Sequence, residues 1–139
     1  MRASRAGKTQ NCGRGDAITR LAHARKFLEV AELVSTEEGI PESMSVSAAL
    51  AVLAAIAASD AACCPTLGRR SRGQDHHLAE DLVRQVTPGG GEAASSLRRL
   101  LELKDTAHYG LIHVSVSKLK TALRQAAQLV DFAAAVVRR

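Results

Sequence analysis

Apolar positions along this chain recur at helical intervals wherever glycine and proline do not interrupt them. Asp16 suits an N-cap, and behind it Ile18, Leu21, Leu28 and Ala31 fall on one side of a predicted helix reaching about Val34, with Phe27, Val30 and Val34 widening that face. Arg20, Arg25 and Lys26 are expected to stay outside it, and a connection through Glu37, Gly39 and Pro41 ends it. The next helix, from Glu42 or Ser45 to Cys64, is apolar almost all the way round, through Val46, Leu50, Val52, Leu53, Ile56, Ala57 and Ala61. Such a helix has to be covered on several sides, so it is expected at the centre of a bundle, with Pro65 closing it.

Asp75 can cap a third helix to about Val86, whose stripe is Leu78, Leu82 and Val86; Pro88 and Gly89, Gly90 and Gly91 then break it. A fourth helix carries Leu97, Leu100, Leu101 and Leu103 and is expected to stop near the segment LKDTAHYG, where Gly110 permits a turn. Ile112, Val114 and Val116 alternate with polar residues, as in a strand, but no second strand offers itself, so they read as an extended lead into the last helix. There Val116, Leu119, Leu123, Ala126, Val130, Ala133 and Val137 form a seam at alternating intervals of three and four, while Lys118, Lys120 and Arg124 face away. With no β signal, the expected fold class is all-α: an antiparallel up-and-down four- to five-helix bundle as one domain over residues 16–139, behind a disordered basic arm over residues 1–15.

Composition narrows the class further. The chain has 139 residues, 46% of them hydrophobic and many of these alanine, which excludes a disordered polar tail and favours closely approaching helices. The run from Ser47 to Cys64 has about the length of a membrane span, yet Ser59 and Asp60 are costly in lipid, so it reads as a buried helix and no membrane is expected. Cys12, Cys63 and Cys64 are odd in number and poorly spaced for a disulfide framework. Together with a basic, polar start unlike a signal peptide, they point to a reducing cytoplasm.

Candidate chemistry lies in three places: Ser59 and Asp60 near the end of the central helix; Arg69, Arg70, Arg72, Asp75, His76 and His77 after it; and Lys104, Asp105, His108 and Tyr109 in LKDTAHYG. A carboxylate on so apolar a helix needs cations or several donors, so Asp60 calls either for an ion pair with Arg69, Arg70 or Lys104 or for a ligand. Adjacent histidines on a helix point about 100° apart, which sets His76 and His77 against sharing one metal ion; one of them is expected to satisfy a core polar group and the other to be exposed. No metal and no cofactor is expected, and Cys63 and Cys64 read as small buried residues. Three arginines in GRRSRG, with a net charge of +5, suit either a solvated loop or a phosphate backbone. The only aromatics, Phe27, Tyr109 and Phe132, leave little platform for stacked bases.

In LKDTAHYG, GRRSRGQDHH, the Asp60 helix and the long terminal helix, the chain resembles the HEPN superfamily (higher eukaryotes and prokaryotes nucleotide-binding), most of all a small actinobacterial branch, over most of residues 17–137. The resemblance implies a helical bundle, commonly a homodimer, acting in toxin–antitoxin, defence or RNA-processing systems beside a cognate antitoxin or other partner protein. Many members are metal-independent ribonucleases with an Arg followed at a short interval by a His. His108 matches that His and Tyr109 the aromatic after it, but no Arg stands at the motif's interval: Lys104 has three residues between it and His108, and Arg99 has eight. The expected function is therefore a noncatalytic module that binds RNA, a nucleotide or a partner protein. The alternatives are an endoribonuclease with His108 as acid/base, Lys104 or a loop Arg as phosphate clamp and Tyr109 positioning, and a purely structural dimeric adaptor. A structural role within this family would have His108 bond a backbone carbonyl and Tyr109 pack into the core.

Overall fold

A computed structural model describes residues 8–73 and 76–139. Five helices dominate: α1 (Arg14–Ser35), α2 (Pro41–Leu67), α3 (His76–Arg84), α4 (Gly90–Tyr109) and α5 (Val116–Arg138). Two short strands, β1 (Thr9–Asn11) and β2 (Arg69–Ser71), form an antiparallel ribbon. The fold is therefore mostly helical, as the periodicity predicts, and the expectation of no β structure is corrected by this ribbon.

The ribbon also shortens the expected arm. Residues 8–15 pair, turn and start α1, and the rest of the arm lies outside the described residues. Three-residue strands built from Thr, Gln, Asn, Arg and Ser carry no apolar alternation, which is why the sequence pattern does not announce them. A second correction concerns the cysteines. Cys12, just past β1, is disulfide-bonded to Cys64 near the end of α2 across a separation of 52 residues, and Cys63 is free and buried. The three cysteines thus include one long-range disulfide, and their number and spacing do not argue for a reducing compartment.

Among the helices, α2 is central, packing against α1, α4 and α5 and touching α3 and β2. Its alanines explain how: Ala48, Ala51, Ala54, Ala55, Ala57, Ala58, Ala61 and Ala62 are all fully buried, and side chains this small let neighbouring helices come close on several sides. Larger side chains fill the gaps from outside, with Leu82 from α3, Leu97 and Leu100 from α4, and Leu129 and Val130 from α5 in one cluster. By length and composition α2 is apolar enough to cross a membrane, but 72% of that window is buried inside the bundle.

Four helical residues depart from the sequence reading. Pro65 does not close α2; the helix continues through it to Leu67 and ends at Gly68, whose φ of 73° is the left-handed conformation glycine adopts without strain. Ile18 is 56% exposed rather than on the packed face of α1, where Ala17, Leu21, Ala24 and Ala31 are buried instead. Val116 and Val46, counted among the apolar contacts, are also exposed, at 39% and 51%. The lead into α5 is irregular, as expected, with Val114 buried beside Met44, Ala48 and Leu119.

Candidate functional site

The end of α2 and the end of α4 flank a cleft of about 330 Å³, with β2 and the start of α3 completing its wall. Apolar Leu53, Ile56, Leu97 and Leu101 line it together with Arg20, Asp60, Arg70, His76, Lys104, His108 and Tyr109. Three segments far apart in sequence thus contribute their charged residues to one concavity.

Asp60 is 6% exposed. Arg70 of β2 donates from Nη1 to its Oδ2 at 3.1 Å, one of the partners anticipated from the sequence. Arg20 of α1 donates to the same oxygen from Nε at 3.0 Å, with Nη2 also 3.0 Å away. Arg69 and Lys104, the other anticipated partners, do not fill that role. Burial pushes the Asp60 carboxyl above its ordinary range, and the charges of Arg20 and Arg70 and their hydrogen bonds offset that only in part. Ser59, also lining the cleft and buried, donates back to the Ala55 carbonyl at 2.8 Å.

Arg20 was expected to face away, and its place corrects that expectation. It stands three residues after Ala17 and four before Ala24, both fully buried, so it belongs to the packed stripe of α1. That spacing was the legible signal. An arginine's charge normally places it at the surface, which masks that signal. Arg70 is held from a second side by Gln10 of β1, whose Oε1 accepts from Nη2 at 3.0 Å.

Also lining the cleft, Lys104 Nζ lies 3.0 Å from His76 Nε2. With Lys104 protonated its ammonium donates and Nε2 accepts, which puts the imidazole proton on Nδ1. His108 follows Lys104 by one helical turn and so shares its face of α4. Both lie in the last turns of α4, which runs through LKDTAHYG before ending at Gly110. Tyr109 is 76% exposed, so the packing into the core that a structural role implied is corrected; its ring meets the His108 ring edge-on, with centroids 5.7 Å apart.

The remaining candidates are not in the cleft. Arg69, Arg72, His77 and Asp105 are exposed and absent from its lining, and Asp75 lies outside the described residues. Cys63, one turn from Asp60, is no nucleophile: burial first, and the Asp60 charge second, push its thiol up to about 12. Among the described residues, no three His, Cys, Asp or Glu side chains gather as a metal would need. The arrangement offers cations, two imidazoles and a phenol among apolar side chains, which suits a phosphate-bearing ligand with a partly apolar body. No protein-family model matches the chain, and no curated protein matches it.

Proposed function

We propose that this protein is a HEPN-like helical module whose cleft binds single-stranded RNA or a nucleotide without cleaving it. The observation that carries the reading is the meeting of Arg70, His76, Lys104 and His108, from β2, α3 and α4, at one concavity that apolar side chains also line. A phosphate near Lys104 would meet positive charge, and exposed Arg69 of β2 and Arg72 just after it add to that charge. Tyr109, exposed at the lining, supplies one ring for a base, so shape and charge rather than stacking set the affinity. The same resemblance makes a homodimer and a cognate partner protein part of the proposal.

Titration of the protein with a fluorescently labelled mixed-sequence single-stranded RNA at two salt concentrations tests it. Binding should weaken with salt by about 0.7 in logarithmic slope for each phosphate contacted, and Lys104→Ala should lower affinity and flatten that slope. Absence of binding at low salt would overturn the reading.

One observation favours a second reading, a metal-independent endoribonuclease. Attack of a ribose 2′-hydroxyl on its phosphate needs a base, an acid and a cation, and His76, His108 and Lys104 line the same cleft. Incubation with labelled RNA in EDTA decides between the two: cleavage by the wild type that His108→Ala abolishes would establish the enzyme, and equal cleavage by both proteins would mark a contaminant.

A further inference from the structure

The cleft wall that carries Arg70 is fastened by a covalent bond lying outside the cleft. Cys12 and Cys64 bring their Cα atoms to 5.1 Å, and from Cys12 the chain runs back along β2. Cys12 N–H donates to the Gly68 carbonyl at 2.9 Å, Gln10 pairs with Arg70, and Arg72 N–H donates to the Lys8 carbonyl at 2.8 Å. A ribbon with three residues on each side is marginal in water by itself. The disulfide makes its closure local, because Cys64 lies one helical turn from both Asp60 and Gly68. Gln10 then holds Arg70, and Arg70 holds Asp60. Bond, strand, amide, guanidinium and carboxylate form one continuous chain of contacts ending in the cleft.

We propose that the Cys12–Cys64 bond is a redox latch on the cleft: its reduction by a dithiol lets residues 8–12 leave β2 and frees Arg70 from the Gln10 contact, and the reverse exchange, with a small-molecule disulfide as the two-electron oxidant, restores both. A thiolate of the reductant attacks Cys12 Sγ, the more exposed of the two sulfurs since Cys64 is 2% exposed. The S–S bond breaks and Cys64 leaves as a thiolate that takes up a proton. The reductant's second thiol then displaces Cys12, which is protonated in turn, so two electrons and two protons pass to the protein and the dithiol becomes a cyclic disulfide. Cys63 stays outside this exchange because its buried thiol does not ionise near neutral pH. The effect on ligand binding rests on the cleft being the RNA or nucleotide site; the release of the strand does not.

Hydrogen exchange on the full chain, oxidised and then treated with a dithiol, reads the latch directly. Amides of Cys12 and Arg72 should lose protection by about tenfold or more on reduction, while those in the middle of α5 keep theirs and certify the fold. Cys12→Ser should show the loosened pattern without reductant; if that variant does not fold, chemical reduction of the wild type still gives the answer. Equal protection in both states, or alkylation of all three cysteines in air-oxidised protein, would overturn the latch. Titration with the labelled single-stranded RNA in the same two states should show about tenfold weaker binding after reduction, equivalent to about 1.4 kcal/mol. Loss of protection with unchanged affinity would overturn the control of the cleft. Binding in neither state would remove the RNA reading, and the exchange data would still decide the latch.

Discussion

Between Ala48 and Ala58 the fully buried side chains of α2 are alanine and valine, whereas over the next turn and a half Ser59, Asp60, Cys63 and Cys64 join Ala61 and Ala62 in the buried set. The side chains named in both stretches are buried. In the first, nothing but shape is required of the neighbours, and α1, α4 and α5 can supply it with any well-fitting apolar side chain. In the second, two side chains fix particular partners, since Asp60 is held by Arg20 and Arg70 and Cys64 is bonded to Cys12, while Ser59 turns back within α2 to Ala55 and Cys63 stays free. The difference teaches where function can sit. A shape-filled stretch holds the bundle together without choosing a geometry for any ligand, while the partner-bound stretch fixes Arg20, Arg70 and β2 along a cleft wall.

The most severe way to break the contrast is to put a carboxylate into the alanine stretch. Ala55→Asp places a charge at a fully buried position of the apolar cluster, without the paired guanidiniums that Asp60 has. The expected loss of stability is about 3–5 kcal/mol, the scale of an uncompensated buried charge, and urea unfolding followed by circular dichroism measures it. A variant within about 0.5 kcal/mol of the wild type would mean that the stretch tolerates charge by yielding, and that burial there is not close packing.

A smaller effect is expected from removing half of the compensation at the polar stretch. Arg20→Ala leaves Asp60 with Arg70 alone, and because the Arg20 side chain is 26% exposed the cost should be about 1–2 kcal/mol rather than the full price of a broken buried pair. The same variant should shift the Asp60 carboxyl further upward, since a lowering influence is lost while the burial stays. Carboxyl chemical shifts followed through a pH titration would show that movement, and a downward one would contradict the assignment of Arg20 as a compensating charge.

How much of this was legible follows the same division. The shape-filled stretch speaks through periodicity: the all-round apolar pattern of residues 46–61 predicts a central helix, and α2 is one. The anomaly of Asp60 was also visible, since a lone carboxylate in such a run demands a partner, and Arg70 was among those named. Partnership itself is not periodic, however. Arg20 hid in a stripe of alanines, Gln10 and β1 carried no apolar alternation, and Cys12 is 52 residues from the sulfur it binds. His76, Lys104 and His108 were visible as residue types, but their meeting at one cleft depends on where the ends of α2 and α4 fall in space, which helical pattern alone does not specify.

The finest test changes no shape at all. In Asp60→Asn an amide replaces the carboxyl at almost the same volume, so the two proteins differ mainly in what happens when Asp60 ionises. Its folded-state value is raised from 3.8, with burial outweighing Arg20 and Arg70. For a raised acid the stabilising contribution is fully present below the unfolded value, where both states are protonated, and it is lost as pH climbs through the folded value. The wild type should therefore lose stability relative to Asp60→Asn across a window that opens near pH 3.8 and closes above the folded value, after which the difference stays level. Urea unfolding of both proteins at a series of pH values gives that difference curve. A curve of the opposite slope, with the wild type gaining as pH rises, would mean that the two guanidiniums overcompensate the burial. Asp60 would then be an ordinary ion pair, and the contrast between the two stretches of α2 would reduce to composition.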